Sequence, residues 1–201
     1  MKRALDVAGA LLGLLLSAPL LLAASVAIWL ADRRPILFSH EREGRGGRPV
    51  RLWKLRTMVR DGDGLLAAHL ERVPQARREW ERYFRLADDP RVLGRLGRAL
   101  RRWSIDELPQ LWNVLRGDMS LVGPRPLPPF VIAALPERSL QLRRSVRPGL
   151  TGLWQVSGRS DGDMDALVQL DTDYVLNASL ALDLRILART PAAVLSGAGA
   201  Y

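Results

Sequence analysis

An almost wholly apolar stretch from Ala4 to Ala31 constrains this chain more than any other feature, and Asp6 is its single charged residue. Basic residues flank it on both sides, with Lys2-Arg3 before it and Arg33-Arg34 after it. As a helix it would extend roughly 40 Å, enough to cross a hydrocarbon core of roughly 30 Å. Three interpretations compete: a cleaved signal peptide, a single membrane span, or a hairpin that enters and leaves the membrane on one side.

Pro19 falls near the middle of the apolar stretch. Proline lacks a backbone N–H and its ring clashes with the carbonyl group of Leu15, so we expect a bend there, with the Ser17 hydroxyl able to bond a freed carbonyl. Each half would then be too short to cross a membrane. Basic residues at both ends favour a hairpin whose ends both lie on the cytoplasmic side. A kinked single span stays open, because membrane helices tolerate proline.

An acidic pair, Asp106-Glu107, lies between arginines at Arg101 and Arg125. Adjacent carboxylates repel each other, and each loses hydration when buried, so cations or hydrogen-bond donors must surround them. The flanking arginines can supply part of that charge and a divalent metal the rest. The four residues that begin at Ser104 also fit a capping box at a helix N-terminus. A helix cap and a chemical site can coexist here.

The composition favours one domain that meets an anionic partner. The 201 residues suffice for one domain with a proper core and are too few for two comfortable ones. The net charge of +9 and the pI near 11.1 point to nucleic acid, acidic lipid or a phosphorylated substrate, and charge alone does not choose among them. The sequence contains no cysteine, which excludes disulfides and thiolate metal sites.

Residues Pro35 to Met58 predict a β-hairpin with a glycine-rich turn. Alternation in its second strand puts Lys54 on the same face as Leu52 and Val50, where the ammonium group can reach an anion. The alternative is a lysine that simply extends to solvent. Lysine occurs elsewhere only at Lys2, so Lys54 is an exception in an arginine-rich chain.

Two later stretches predict amphipathic helices. The first runs from Gly64 to Leu86 with an interruption at Pro74, and its apolar side consists of Trp80, Tyr83, Phe84 and Ala87. The second is predicted to end at Pro191, and its stripe consists of Leu180, Leu184 and Leu187. Each helix is expected either to lie in the headgroup layer of a membrane or to pack on the protein's own core. The predicted fold is therefore α+β and mostly helical.

The string SIDELPQLWNVLRGDMSLVGPRP, from Ser104 to Pro126, resembles the core signature of the bacterial sugar transferases. These are monotopic phosphoglycosyl transferases, which start lipid-linked glycan assembly on the inner membrane face. Further matching segments are Phe38, Glu41-Arg42, Gly44, Lys54 to Met58, Asp89 to Arg91, Ser145 to Gly149, Thr151 to Arg159 and Gly199 to Tyr201. The chain departs from the family between Asn177 and Asp183, where tryptophans are common in the family.

The resemblance implies an N-terminal re-entrant anchoring helix over residues 1–32, broken at Ser17 and Pro19. It implies a catalytic domain over residues 33–201, with interfacial helices around one catalytic core, on the cytoplasmic face of the inner membrane. It therefore favours the hairpin interpretation of the apolar stretch. A cleaved signal peptide would leave the basic domain outside the cell, away from nucleotide substrates.

The resemblance also implies a reaction: transfer of a sugar-1-phosphate from a UDP-sugar to polyprenyl phosphate, with release of UMP. Asp106 would be the nucleophile and would form a covalent phosphosugar intermediate, while Glu107 would help to hold Mg²⁺. Metal and arginine are the usual means of neutralising an attacked phosphoryl group, and we assign Arg101 and Arg125 to that task. Lys54 is a further phosphate-binding candidate.

Two other classes of function remain as alternatives. A non-catalytic scaffold that binds anionic lipid would use the same basic surface. A nucleic-acid-binding protein agrees with the pI, but the arginines form no recognisable binding motif, so we expect no nucleic-acid partner. Self-association into a homo-oligomer stays open, as does the identity of the sugar.

Overall fold

The computed structural model describes residues 1–83, 86, 88–157 and 164–197. Its helices are α1 (Lys2–Asp32), α2 (Gly62–Arg72), α3 (Pro74–Tyr83), α4 (Gly94–Arg102), α5 (Gln110–Arg116), α6 (Pro129–Ile132), α7 (Glu137–Ser145), α8 (Leu153–Val156), α9 (Met164–Leu176) and α10 (Leu180–Ser196). Its strands are β1 (Leu37–Glu43), β2 (Pro49–Leu55), β3 (Ser120–Val122) and β4 (Gly149–Thr151). The fold is mostly helical, as predicted.

The predicted hairpin is confirmed, with β1 antiparallel to β2. The register pairs Phe38 with Lys54, His40 with Leu52, and Arg42 with Val50. Gly46 and Gly47 take φ values of 72° and 76° in the connecting turn, a left-handed conformation that glycine adopts without steric cost. A second, parallel pair joins β3 to β4 and had no counterpart among the predicted elements.

Among the residues that the structure describes, three hydrophobic clusters form the interior. The first surrounds Val114 and Met119 and includes Ala10 of α1, and the second joins Ile28 of α1 to Leu55 and Leu100. The third consists of Leu127, Val131, Leu135 and Leu167. Because α1 contributes to two of the clusters, the apolar helix and the rest of the chain share one interior.

Helix α1 continues through Pro19, so the predicted bend does not end the helix. The Ser17 hydroxyl donates to the carbonyl oxygen of Leu14 at 3.5 Å. Pro19 deprives the carbonyl oxygen of Leu15, not that of Leu14, of its N–H partner. The prediction that the Ser17 hydroxyl would bond the freed carbonyl is therefore wrong.

The N-terminal end of α1 is bound to β3 and α10. The carboxylate of Asp6, which is 2% exposed, accepts hydrogen bonds from the Ser120 hydroxyl at 2.8 Å and the Leu121 N–H at 2.9 Å. Lys2 donates to the buried carboxylate of Asp183 at 2.7 Å. These contacts join residues more than a hundred positions apart in the sequence.

The C-terminal end of α1 is bound to the hairpin. The Arg56 guanidinium donates to the Asp32 carboxylate and, at 3.0 Å, to the Asp32 carbonyl oxygen. Ile28, one turn earlier, is fully buried, and burial of such a side chain contributes roughly 1.5–3 kcal/mol. Both ends of α1 therefore contact the same folded body.

The outward face of α1 is apolar and exposed. Its most exposed leucine is Leu15, at 73%. The other exposed apolar side chains are Leu11, Leu12, Leu16, Leu20, Leu22, Val26, Trp29 and Leu30. Within the part of the chain that the structure describes, α1 is the helix long and apolar enough to cross a membrane. A contiguous apolar surface of this kind marks a membrane or protein contact.

The later helices confirm one prediction and correct another. The break at Pro74 is confirmed, since α2 ends at Arg72 and α3 begins at Pro74. The predicted end at Pro191 is wrong, because α10 runs to Ser196 and Ala193, beyond the proline, packs against the first cluster. Four predictions concern residues outside the described ranges: Phe84, Ala87, Gly158-Arg159 and Gly199 to Tyr201.

Candidate active site

The acidic pair lies on a single 3₁₀ turn, Ile105–Glu107, between α4 and α5. Ser104 precedes it with a φ of 52°, in the left-handed region. The predicted capping box is wrong, because the Ser104 side chain makes no capping hydrogen bond to this turn. A capping serine takes an extended backbone conformation, whereas Ser104 turns the chain sharply and sends Asp106 inward. Asp106 is 7% exposed.

Glu107 binds two cationic side chains that lie far from each other in the sequence. Its Oε1 accepts from Lys54 Nζ at 2.6 Å and from Arg125 Nη2 at 3.0 Å. Burial opposes ionisation of Glu107, but the positive charges of Arg125 and Lys54 outweigh it and hold the pKa of this carboxyl well below its usual range. Glu107 is therefore a permanent anion that fixes both cations beside Asp106.

Asp106 lies in a different electrostatic environment. Burial raises the pKa of Asp106 to about 6, with the charge of Glu107 adding to the rise and the charge of Lys54 opposing it. Lys54 Nζ lies 3.9 Å from Asp106 Oδ2, farther than it lies from Glu107. Asp106 is thus a poorly solvated carboxylate that is ionised at neutral pH, which suits a nucleophile.

The two predicted arginines respond mainly to different members of the acidic pair. Arg101, in the last turn of α4, has its pKa lowered by burial, and the charge of Asp106 is the main influence against that shift. Arg125 has its pKa raised by the charge of Glu107. The carbonyl oxygen of Arg125 accepts a hydrogen bond from Arg143, which also pairs with Asp171. The structure therefore brings Lys54, Arg101 and Arg125 to the acidic pair.

A close approach of backbones fixes the loop that carries Arg125. A Cβ atom at Gly123 would lie 2.5 Å from the carbonyl oxygen of Arg147 and 2.9 Å from the backbone nitrogen of Gly149. Any side chain at this position would push the loop away from β4. Glycine is therefore required for Arg125 to reach Glu107.

Two site residues were missed by the sequence prediction, His40 and Arg42. Both lie on the hairpin face that carries Lys54. Burial lowers the pKa of His40 to about 3, with the charges of Arg42 and Lys54 adding to the shift. Burial also lowers the pKa of Arg42 to about 10, with a contribution from the charge of Arg125. The two-residue alternation that placed Lys54 could have found both, since they alternate along the partner strand.

The carboxylates fit a magnesium ion in their chemistry. Mg²⁺ prefers oxygen ligands and is commonly bound by one or two carboxylates together with substrate phosphates. Asp106 and Glu107 supply two, and the raised pKa of Asp106 shows a carboxyl that added positive charge would stabilise as an anion. Among the described residues, no cluster of three or more His, Cys, Asp or Glu side chains could hold a metal alone. A metal here would need the phosphates of a substrate.

The whole sequence is similar to proteins of one family. The sequence profile described as bacterial sugar transferase matches residues 1–197. The exopolysaccharide production protein ExoY of Sinorhizobium fredii is 42% identical, over all of this chain and 88% of that protein. The UDP-glucose:undecaprenyl-phosphate glucose-1-phosphate transferase of Caulobacter vibrioides is 46% identical, over all of this chain and 72% of that protein.

A third relative is considerably longer. The undecaprenyl-phosphate galactose phosphotransferase of Salmonella typhimurium is 41% identical over the whole of this chain, which spans 42% of that protein's length. By its profile match and by its similarity to these relatives, the chain belongs to the bacterial sugar transferase family.

Proposed function

We propose that this protein transfers a sugar-1-phosphate from a UDP-sugar to polyprenyl phosphate, such as undecaprenyl phosphate. The products are UMP and a sugar on polyprenyl diphosphate, the first membrane step in the synthesis of an exopolysaccharide or glycoconjugate. The names of the relatives, which are undecaprenyl-phosphate galactose and glucose phosphotransferases, support the reaction class.

The pairing of a buried Asp106 with a cation-binding Glu107 carries the proposal. An anionic nucleophile can approach a diphosphate only where fixed positive charge offsets the repulsion. Lys54 and Arg125, held on Glu107 at 2.6 and 3.0 Å, supply that charge, and Arg101, whose pKa responds to the charge of Asp106, adds to it. Because Glu107 fixes both cations before the substrate binds, little reorganisation is needed during the reaction.

The chemistry takes two displacements at one phosphorus atom. An Asp106 oxygen attacks the sugar-side phosphorus, a carboxyl–phosphate bond forms, and the phosphorus–oxygen bond to the uridine-side phosphate breaks. The electron pair of that bond leaves with UMP. An oxygen of polyprenyl phosphate then attacks the same phosphorus and releases the Asp106 carboxylate. Mg²⁺ held by Glu107 and Asp106 would neutralise phosphate charge during these steps. Sequential use of one site gives ping-pong kinetics.

The placement of α1 supports a membrane location on one face. Both ends of α1 bind the same body, through Asp6 and Lys2 at one end and Asp32 at the other. A helix that crossed the bilayer would carry one end away from that body. We therefore place α1 in the membrane as a re-entrant anchor with Ser17 and Pro19 at its deepest point, and the catalytic residues at the cytoplasmic headgroup level.

The covalent intermediate provides the test. After incubation with a panel of UDP-sugars alone, the intact mass of the wild type should rise by one phosphosugar, and Asp106→Asn should show no rise. Asp173→Asn is the matched control, because Asp173 is an exposed carboxylate on α9. An adduct that persists in Asp106→Asn or maps to Glu107 would assign the nucleophile elsewhere. Excess EDTA should prevent turnover, and undiminished activity would remove Mg²⁺ from the proposal.

A scaffold that binds anionic lipid is the competing function. It predicts that the wild type releases no UMP from any UDP-sugar in the presence of polyprenyl phosphate, while it still binds acidic vesicles. The ion pairs around Glu107 favour the enzyme, since a lipid-binding surface would leave its cations open to solvent.

A further inference from the structure

Side chains from distant helices hold the backbone at both ends of the loop that carries Arg125. Val122, the last residue of β3, precedes this loop. Its carbonyl oxygen lies 3.0 Å from the Tyr174 hydroxyl of α9 and 3.1 Å from the Lys2 ammonium group of α1. At the other end, Arg143 of α7 donates to the carbonyl oxygen of Arg125. The loop is therefore fixed by residues outside it.

The contact that Tyr174 makes is buried. Tyr174 is 2% exposed and packs in the first hydrophobic cluster. Its hydroxyl also lies 2.9 Å from the carboxylate of Asp183, so its single proton is shared between that carboxylate and the carbonyl oxygen of Val122. Burial and the charge of Asp183 raise the pKa of Tyr174, and the hydroxyl keeps its proton. Tyr174 is thus a donor fixed by its own packing where β3 ends.

Arg143 connects α9 to the other end of the loop. Its Nη1 pairs with the carboxylate of Asp171, and its Nη2 donates to the carbonyl oxygen of Arg125. Asp171 is 1% exposed, and the planar guanidinium holds its two partners at a fixed angle. Asp171 and Tyr174 are three positions apart in α9, so their side chains lie on the same side of that helix. Helix α9 therefore supports both ends of the loop.

The position of this backbone determines where the guanidinium of Arg125 lies. Its Nη2 is 3.0 Å from Oε1 of Glu107, and a misplacement of about 1 Å in a catalytic group can cost about 100-fold in rate. Backbone hydrogen bonds from Gly123 and to Pro124 join the start of the loop to β4. The carbonyl group of Arg125 itself is held by Arg143.

We propose that Tyr174 and Arg143 are positioning residues for Arg125. They fix the two ends of its loop, so that its guanidinium meets Glu107 before a substrate binds. The inference rests on the proposed function, in which the charge of Arg125 offsets the repulsion between the nucleophile and a diphosphate. Tyr174 and Arg143 act through Arg125 and make no contact with the substrate themselves.

Two conservative substitutions test the proposal through the rate of adduct formation with a UDP-sugar. Tyr174→Phe removes the hydroxyl and keeps the ring in the core. Arg143→Lys keeps a positive charge beside Asp171 but replaces the planar fork with a single ammonium group. Each should slow adduct formation by about 3- to 30-fold, less than a full misplacement of Arg125 would, because the other end of the loop stays held.

Each substitution has a matched control. Ile186→Val removes a buried methyl group from the cluster that contains Tyr174. Arg144→Lys makes the same exchange as Arg143→Lys on the same helix, at an arginine that binds Glu43. Both controls should form the adduct within about twofold of the wild-type rate.

The same substitutions in an Arg125→Ala background separate positioning from a general structural role. If Tyr174 and Arg143 act through Arg125, each substitution should change the rate by less than about twofold there, because no guanidinium remains to be placed. Equal slowing in both backgrounds would overturn the proposal, since the lost contacts would then affect the site without Arg125.

Hydrogen exchange tests the hold on the loop without turnover. The N–H groups of Gly123 and Gly149 bond to the carbonyl oxygens of Thr151 and Pro124 at 3.0 and 2.8 Å, so both report on the contact between the loop and β4. Tyr174→Phe should speed their exchange at least about threefold, and Ile186→Val should not.

Unchanged exchange in both Tyr174→Phe and Arg143→Lys would overturn the proposal. If the wild type forms no adduct with any UDP-sugar, the proposed reaction fails, while hydrogen exchange still decides whether these two residues hold the loop.

Discussion

Replacement of Asp6 by alanine tests how α1 is fixed to the rest of the molecule. The substitution removes the acceptor of two hydrogen bonds, from the Ser120 hydroxyl and the Leu121 N–H, and leaves both donors buried. A hydrogen bond to a charged group contributes roughly 1.5–3 kcal/mol. The substitution also removes the cost of burying the carboxylate. We therefore expect the lower part of the combined loss, about 3 kcal/mol in the free energy of unfolding.

The assay is thermal unfolding followed by tryptophan fluorescence in detergent. For a chain of this size, each kcal/mol lowers the midpoint by roughly 2–4 °C, so Asp6→Ala should lower it by about 6–12 °C. Asp6→Asn keeps an acceptor oxygen and should lower the midpoint distinctly less than Asp6→Ala does. Asp173→Ala removes an exposed carboxylate from α9 and should leave the midpoint within about 1 °C.

A midpoint for Asp6→Ala that matches the Asp173→Ala control would refute this reasoning. It would mean that the end of α1 is not bound to β3 in solution and that Asp6 is hydrated. If Asp6→Ala and Asp6→Asn lowered the midpoint equally, the charge of Asp6 would matter and the geometry of its acceptor oxygen would not.

Three further predictions concern the site and the anchor. Lys54→Arg should lower the rate of adduct formation with little change in thermal midpoint, because a planar fork replaces a compact charge 2.6 Å from Glu107; unchanged kinetics would make lysine incidental here. Adduct formation should fall as the pH drops through about 6, because the proposed nucleophile, Asp106, must be ionised. Glu107→Gln should shift this fall in the pH profile to lower pH, because it removes a charge that raises the pKa of Asp106. A pH profile that does not shift would contradict the influence of Glu107 on Asp106. Pro19→Leu should straighten α1 and send Lys2 to the opposite side of the membrane, as read by an impermeant thiol reagent on single cysteines placed beside Lys2 and Arg33; labelling of the wild-type Lys2 position from outside intact cells would show a span instead.

Local patterns predicted the parts of the fold in which each residue's environment depends on its neighbours in sequence. The hairpin follows from two-residue alternation and a glycine-rich turn, and the break before α3 follows from Pro74. Asp106, Glu107 and Arg125 were identifiable as candidates because they belong to one string. That string did not show that Glu107 would bind both Lys54 and Arg125, or that burial would raise the pKa of Asp106.

Long-range contacts were beyond the sequence patterns. An apolar stretch looks the same whether it crosses a membrane or packs along a domain, so the binding of Asp6 to Ser120, across 114 residues, left no local sign. The three-residue strands β3 and β4 are too short for periodicity. Pro191 misled because packing against neighbouring elements stabilises α10 past a residue that favours termination.

Because the sequence has only two lysines, chemical labelling of lysine reports on two defined places in the fold. Its two lysines both donate to carboxylates, Lys2 to Asp183 at 2.7 Å and Lys54 to Glu107 at 2.6 Å. An amine-reactive reagent acylates only the neutral amine, so each position must leave its carboxylate and lose a proton before it is labelled. The ratio of acylation at the two positions, read by peptide mass spectrometry, therefore compares opening of the Lys54–Glu107 ion pair with opening of the Lys2–Asp183 ion pair at the start of α1. A nucleotide that occupies the site would change labelling at Lys54 alone, with Lys2 as the internal reference.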